Sequence, residues 1–291
     1  IPFYIFNMEK EFKEEVVDYF VSEYLKARTP IPCTLCNQRL KFDHLICRAE
    51  EFGYQKVATG HYALIVKDDE SGRYTIKRGR DQSRDQSYFL FNLSQKQLSR
   101  LEFPLGDTDK KEVRRIAKEL DLAVADKAES REICFVPDND YASFIEKRVS
   151  SDSFHEGNII DSDGKTLGKH RGYPAFTIGQ RKGLNIGGLK EPHYVTAIDP
   201  DKNEIIKVGL QSDLYRSEFF ADKVNWCLPK QEPFEAQVQI RYRHNGATAR
   251  VIPLPGKRVC VRFSEPQLSI TPGQSAVFYI DDCIVGGGWI E

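Results

Sequence analysis

The sequence predicts a multidomain α/β plus β protein: an α/β domain over residues 1–149, a small central domain over 150–209 and a β domain over 210–291. Helical and short apolar strand patterns alternate through the first half, the signature of a layered α/β fold. After Val149-Ser150-Ser151-Asp152-Ser153 the chain changes to glycine-rich turns and short alternating runs, which are β-like. With 291 residues, 40% of them hydrophobic, the chain has material for two or three cores.

Ile1 to Phe6 reads as a buried strand, and Asn7 as the N-cap of a helix over 8–27. That helix carries Phe12, Val16, Phe20, Val21, Tyr24 and Leu25 at helical spacing. In the segment Arg28 to Cys36, Pro30 and Pro32 are expected to hold the chain extended or turned. Helical spacing resumes at Phe42, Leu45, Ile46, Ala49 and Phe52, and Gly53 stops it. Lys56-Val57-Ala58 is a short strand leading into Thr59-Gly60-His61, and 62–79 alternates about Asp68 to Gly72 as a hairpin. Helices are expected near 85–91, over 95–101 with the capping box Ser94…Gln97, over 110–121 and over 140–149, with a buried strand at Ile133 to Val136. Strands are expected at 236–242, 247–252, 258–263, 276–280 and 283–290.

Lys and Arg number 42 against 43 Asp and Glu, which excludes a uniformly basic surface. A polyanion would have to be held by local patches. Residues 164–190 carry Lys165, Lys169, Arg171, Arg181, Lys182 and Lys190 without an acid, and residues 236–264 carry Arg241, Arg243, Arg250, Lys257, Arg258 and Arg262 likewise. Interleaved with Tyr173, Phe176, Tyr242 and His244, these windows suit RNA phosphates and stacked bases; equally, they suit strand faces balanced by acids from elsewhere. No apolar run approaches 18 residues, so no transmembrane helix is expected, and the start of the chain lacks the pattern of a signal peptide. Seven scattered cysteines in a chain of this size point to a reducing, cytoplasmic setting.

Cys33-x-x-Cys36 is the first chemical candidate. Cys36 follows a proline-fixed loop at the expected start of a helix, where free backbone N–H groups stabilise a thiolate. A zinc knuckle or two buried thiols fit the same spacing. Cys47, Cys134, Cys227, Cys260 and Cys283 read in isolation as packing residues. Gly60-His61 directly follows a strand, where open α/β sheets bind ligands, and a turn glycine with a surface histidine fits too.

Arg28-Thr29-Pro30-Ile31-Pro32-Cys33-Thr34-Leu35-Cys36-Asn37, Ala58 to Ala63, Asp85-Gln86-Ser87-Tyr88-Phe89, Phe103-Pro104-Leu105-Gly106, Ile133-Cys134-Phe135 and Thr177 to Leu184 occur in the order seen in the tRNA-specific 2-thiouridylases. The chain resembles that family along nearly its whole length. The resemblance implies an adenine-nucleotide hydrolase-like (PP-loop) α/β domain, a small central domain and a C-terminal β-barrel, the last two helping to hold tRNA. It implies use of ATP with Mg²⁺ to adenylate O2 of the wobble uridine of tRNAs for Lys, Glu and Gln, followed by sulfur transfer from a cysteine persulfide. Carried over by motif position, Cys134 bears the persulfide and Cys36 is the second cysteine, releasing sulfide or closing a disulfide with Cys134. Gly60 matches a backbone contact to ATP. Ile31, Pro32, Cys33, His61, Arg84, Asp85, Gln86, Arg241, Tyr242 and Gln274 match tRNA contacts. A persulfide donor, a cysteine desulfurase or a relay protein, is the implied partner; neither a membrane nor DNA is.

Two departures from the pattern matter. The family's Ser-Gly-Gly-x-Asp-Ser phosphate loop is absent from this sequence, so the chain is expected to be N-terminally shortened and unable to adenylate tRNA as it stands. Ile31-Pro32-Cys33 also replaces the family's Asn-Pro-Asp, and Cys33, Cys36 and Cys134 together would suit three irons of a [4Fe-4S] cluster. The alternative function is a non-catalytic RNA-binding or iron–sulfur redox protein on the same scaffold, with a thioredoxin-like role for Cys33 and Cys36 a weaker third.

Overall fold

A computed structural model describes residues 2–125, 133–150, 154–200 and 205–291. Helix α1 is assembled from Glu9–Phe12, a π-helical turn Lys13–Val17 and Asp18–Tyr24. It buries Val16, Val17, Phe20, Val21 and Tyr24. Helix α2 joins Pro32–Leu35, a π-helical stretch Cys36–Asp43 and His44–Glu51. Strand β1 (Val57–Ala58) pairs in parallel with β4 (Leu101–Glu102), and between them lies the hairpin β2 (Ala63–Lys67) and β3 (Tyr74–Arg78). Helices α3 (Gln95–Arg100) and α4 (Lys110–Glu119) follow, and α5 (Tyr141–Glu146) leads out of the first unit. The expected capping box forms, Ser94 Oγ accepting from Gln97 N while Ser94 N donates to Gln97 Oε1.

Strands β5 (Gly157–Ile160), β6 (Thr166–His170), β7 (Tyr194–Asp199) and β8 (Ile205–Gly209) make a four-stranded sheet in the order β6-β5-β8-β7, in which only β5 and β8 are parallel. Strands β9 (Tyr215–Trp226), β10 (Phe234–Gln239), β11 (Ala247–Leu254), β12 (Arg258–Leu268), β13 (Ser275–Ile280) and β14 (Cys283–Ile290) run β13-β10-β11-β12-β9-β14, and β13 pairs back to β14. This antiparallel barrel has no open edge among its six strands. The hairpin of the first unit extends the same sheet, β3 pairing with β14 at Lys77 and Cys283.

That continuity fixes the two units to each other. One core contains Leu35, Phe42 and Ile46 of α2 together with Ile76, Tyr88, Phe91, Leu98 and the barrel's Val277, Tyr279 and Trp289. A second core fills the barrel, a third the four-stranded sheet, and a fourth packs α1 on Val136, Phe144 and Ile145.

Four local expectations are corrected. Residues 2–7 form no strand, and Phe3 and Ile5 lie exposed. Over 85–91 a 3₁₀ turn at Ser87–Phe89 stands in place of a helix. Residues 133–136 form a turn with Cys134 exposed, where a buried strand was expected. Pro32 begins α2 instead of holding the chain extended: at a first helical position its missing N–H costs no bond and its fixed φ already suits the helix.

Candidate active site

A cleft of about 1360 Å³ opens between the first unit and the barrel. One wall is the start of α2, with Pro30, Ile31, Pro32, Cys33, Asn37 and Lys41; Gly60, His61 and Tyr62 lie beyond the end of β1. Further lining comes from the loop Gln82 to Gln86 and from the barrel side, with Gln237, Gln239, Tyr242, Arg243, His244, Asp281 and Asp282.

The barrel holds the loop that carries the cysteines. Thr29 N donates to Pro272 O at 2.8 Å, Gln274 Nε2 to Thr29 O at 2.9 Å, and Arg28 Nη2 to Ile290 O at 3.0 Å. Gly273 makes this approach possible, because a Cβ there would stand 2.9 Å from both Arg28 Cβ and Thr29 N. Gln274 therefore sits outside the cleft lining, as a brace for the cysteine loop.

Cys33 and Cys36, three residues apart, share a face at the start of α2, and Cys134 approaches them from the turn at 133–136. All three are free thiols. Cys33 reaches the cleft surface, yet the protein packed around its sulfur pushes the thiol up to about 11; Cys36 and Cys134 add to the rise and Lys41 opposes it. Cys36 is half-buried and also raised, first by burial, with Lys41 lowering it and Cys134 raising it. The expectation of a thiolate at Cys36 is thus corrected: the helix begins at Pro32, so Cys36 lies a full turn inside it and burial outweighs the helix field. The iron–sulfur arrangement gains no support. Among the described residues no group of three or more His, Cys, Asp or Glu side chains is placed to hold a metal ion.

His61 is buried between the rings of Phe42 and Phe103, with its Nδ1 2.8 Å from Thr59 Oγ1. Burial lowers its pKa to about 4, helped by Lys41, so the imidazole is neutral near pH 7. Asp85 is also buried. Its carboxylate accepts from Gly79 N at 2.8 Å, Ser87 Oγ at 2.6 Å and Arg78 Nη1 at 3.3 Å. Arg78 in turn donates to Gln239 Oε1 at 3.1 Å and stacks 3.7 Å from the Tyr279 ring centroid, tying the first unit's loop to two barrel strands. Gln86 Oε1 accepts from Tyr62 N at 3.0 Å.

Arg84 and Tyr242 line the cleft, the Tyr242 ring 4.5 Å from that of Phe89; Arg241 instead donates to Leu268 O at 2.9 Å. Four of the twelve basic residues in the two acid-free windows are paired with glutamates: Lys169 with Glu156, Arg171 with Glu146, Arg258 with Glu291 and Arg262 with Glu218. Sequence reasoning missed Lys41, Arg78 and Lys110. Arg78 and Lys110 are far from the cysteines in the chain, and Lys41 comes round to them through a π-helical register that no pattern announced.

Comparison with known proteins agrees with this architecture. Three family models match: a tRNA methyl transferase HUP domain over 1–138, a tRNA methyl transferase PRC-barrel domain over 142–209 and an aminomethyltransferase beta-barrel domain over 216–290. The tRNA-specific 2-thiouridylase MnmA of Solibacter usitatus is 49% identical over all of this chain and 80% of its own length. MnmA 2 of Syntrophus aciditrophicus is 45% identical over all of this chain and 91% of its own, and MnmA of Geotalea uraniireducens 49% over all of this chain and 77% of its own. With the HUP, central and barrel units in this order and identity spread along the whole chain, the protein belongs to the tRNA-specific 2-thiouridylase family of enzymes.

Proposed function

We propose that the protein replaces O2 of a tRNA wobble uridine with sulfur, in tRNAs for Lys, Glu and Gln, at the cleft beside Cys33, Cys36 and Cys134. The observation that carries this reading is that Cys134 lies within electrostatic reach of Cys33 and Cys36, about a hundred residues earlier in the chain, beside a cleft lined by Cys33 and Ile133 and wide enough for an everted nucleotide. The family models speak of methyl transfer; a cluster of free thiols suits sulfur chemistry.

In the proposed reaction uridine O2 attacks the α-phosphorus of ATP, pyrophosphate leaves, and a poor leaving oxygen becomes part of AMP. The terminal sulfur of a persulfide on Cys134 then attacks C2 and AMP departs. Cys36 attacks the Sγ of Cys134, the sulfur–sulfur bond breaks toward the uridine, and a Cys36–Cys134 disulfide remains for an external thiol to reduce. Gly60, which lines the cleft beyond the end of β1, makes the backbone contact to the nucleotide in this reading. For Mg²⁺, no set of three protein ligands exists among the described residues. Arg84 and Tyr242 face the tRNA, while Asp85, Gln86, Arg241 and Gln274 hold the surfaces that do so. The persulfide comes from a cysteine desulfurase or a relay protein. Among the described residues no helix is long and apolar enough to cross a membrane, and the free thiols suit the cytoplasm.

The test is wobble-uridine thiolation in a strain lacking its own enzyme, supplied with this chain preceded by a Ser-Gly-Gly-x-Asp-Ser phosphate-loop segment, read by mass spectrometry of digested tRNA. Cys36→Ser and Cys134→Ser are each expected to abolish it. Retained thiolation in both would overturn the reading.

A further inference from the structure

We propose that Lys41 forms a small-anion subsite beside the cysteines, holding the negative charge that the reaction brings there. This deepens the function proposed above and rests on it.

Lys41 sits where three independent features converge. It lines the same cleft as Cys33, Gly60 and His61. It is reached from Cys36 through the π-helical stretch Cys36–Asp43. In an α-helix a residue five positions on would point about 140° away; the wider i→i+5 turn brings it back toward the cysteine face. Lys41 is also tethered: Nζ donates to Asn37 Oδ1 at 2.9 Å, and Asn37, itself buried, is held through Nδ2 by Phe89 O at 3.4 Å.

The tether is neutral. Among the described residues no carboxylate pairs with the Lys41 ammonium, so its charge is not cancelled at the site. Arg78 differs, since its guanidinium is shared between Asp85 and Asp282. The field of Lys41 is felt at Cys33, Cys36 and His61 alike, which places it among them. Neutral His61 and two thiols held protonated by burial supply no counter-charge, and of the three acids that line the cleft, Asp85, Asp281 and Asp282, the first and last pair with Arg78. A held, uncompensated cation at the rim of a polar cleft is an anion-binding element. The proposed reaction brings two kinds of anion there: the phosphate linked to uridine O2, and the anionic terminal sulfur of the persulfide or released hydrosulfide.

The experiment compares alkylation of Cys33 by iodoacetate, an anion, with that by neutral iodoacetamide, using peptide-resolved mass spectrometry on the 291-residue chain. Dividing the two rates removes the thiolate fraction common to both, so the ratio reads local charge alone, and Cys47 on the exposed face of α2 is the internal control. Lys41→Met is expected to lower the ratio at Cys33 about fivefold, as for one charge acting through partly screened solvent. Lys41→Arg is expected to keep it, and Cys47 to be unmoved in both. An unchanged ratio in Lys41→Met, or an equal fall at Cys47, overturns the proposal. In the unmodified chain, competition is read as a fall in the iodoacetate-to-iodoacetamide ratio at Cys33 relative to Cys47, which cancels the reagent that hydrosulfide itself consumes: competition by AMP assigns the subsite to phosphate and competition by sodium hydrosulfide assigns it to sulfur, while competition by neither overturns it. The ratio is independent of whether tRNA is thiolated, so failure of the thiolation assay and failure of the Lys41 assay are separate results.

Discussion

Replacing Arg78 by Met is expected to destabilise the joint between the first unit and the barrel by about 3 kcal/mol. Removing one partner of a buried ion pair leaves the other charge without compensation, at about 3–5 kcal/mol. Arg78 and Asp85 are 17% and 6% exposed at their side chains, which places the pair in that regime rather than among surface bridges. The lower end applies because Asp85 keeps its bonds from Gly79 N and Ser87 Oγ. The bond to Gln239 and the stacking on Tyr279 are lost in addition, while the Met side chain recovers some of the packing. The assay is urea denaturation followed by tryptophan fluorescence, since the chain's two tryptophans, Trp226 and Trp289, both lie on barrel strands and Trp289 belongs to the shared core. Asp85→Asn alone and the double variant complete a cycle, in which the double change is expected to cost at least about 1 kcal/mol less than the sum of the singles. A loss below about 1 kcal/mol in Arg78→Met, or strict additivity, would mean that the pair does not act as a buried bridge.

Gly273→Ala is expected to cost about 3 kcal/mol, from a left-handed φ of +88° together with a Cβ 2.9 Å from Thr29 N, and to speed alkylation of Cys33 several-fold by freeing its loop; denaturation midpoints and labelling rates check both. His61 makes stability pH-dependent: with its pKa lowered from 6.5 to about 4, the unfolded chain takes up a proton that the folded one refuses. Its contribution, up to about 3 kcal/mol, is therefore full above pH 6.5 and lost as pH falls from 6.5 toward 4. In His61→Gln, denaturation midpoints measured across that window are expected to fall less steeply than in the parent; parallel curves would contradict this.

The layered first half, the β-rich remainder and the order of the motifs were legible in the sequence because each is a local pattern: spacing of apolar residues, turn chemistry, strings of adjacent residues. Residues 133–136 show where local pattern fails. Four apolar residues in a row suit a buried strand, but a strand needs a neighbour to pair with, and the described residues place this segment in a turn against α1. Likewise Pro32 reads as a helix breaker or as a first helical residue according to whether the residues after it go helical, and the packing of Leu35 and Phe42 into the shared core selects the second. Runs of neighbouring residues were enough to carry the family pattern and to pick out the candidate cysteines. The folded chain was needed to establish that burial raises the Cys33 and Cys36 thiols, that glutamates elsewhere in the chain pair with four of the twelve basic residues of the two windows, and that Lys41 stands among the cysteines. Desolvation and Coulomb interaction depend on distance in space, and that distance is set by folding rather than by position along the chain.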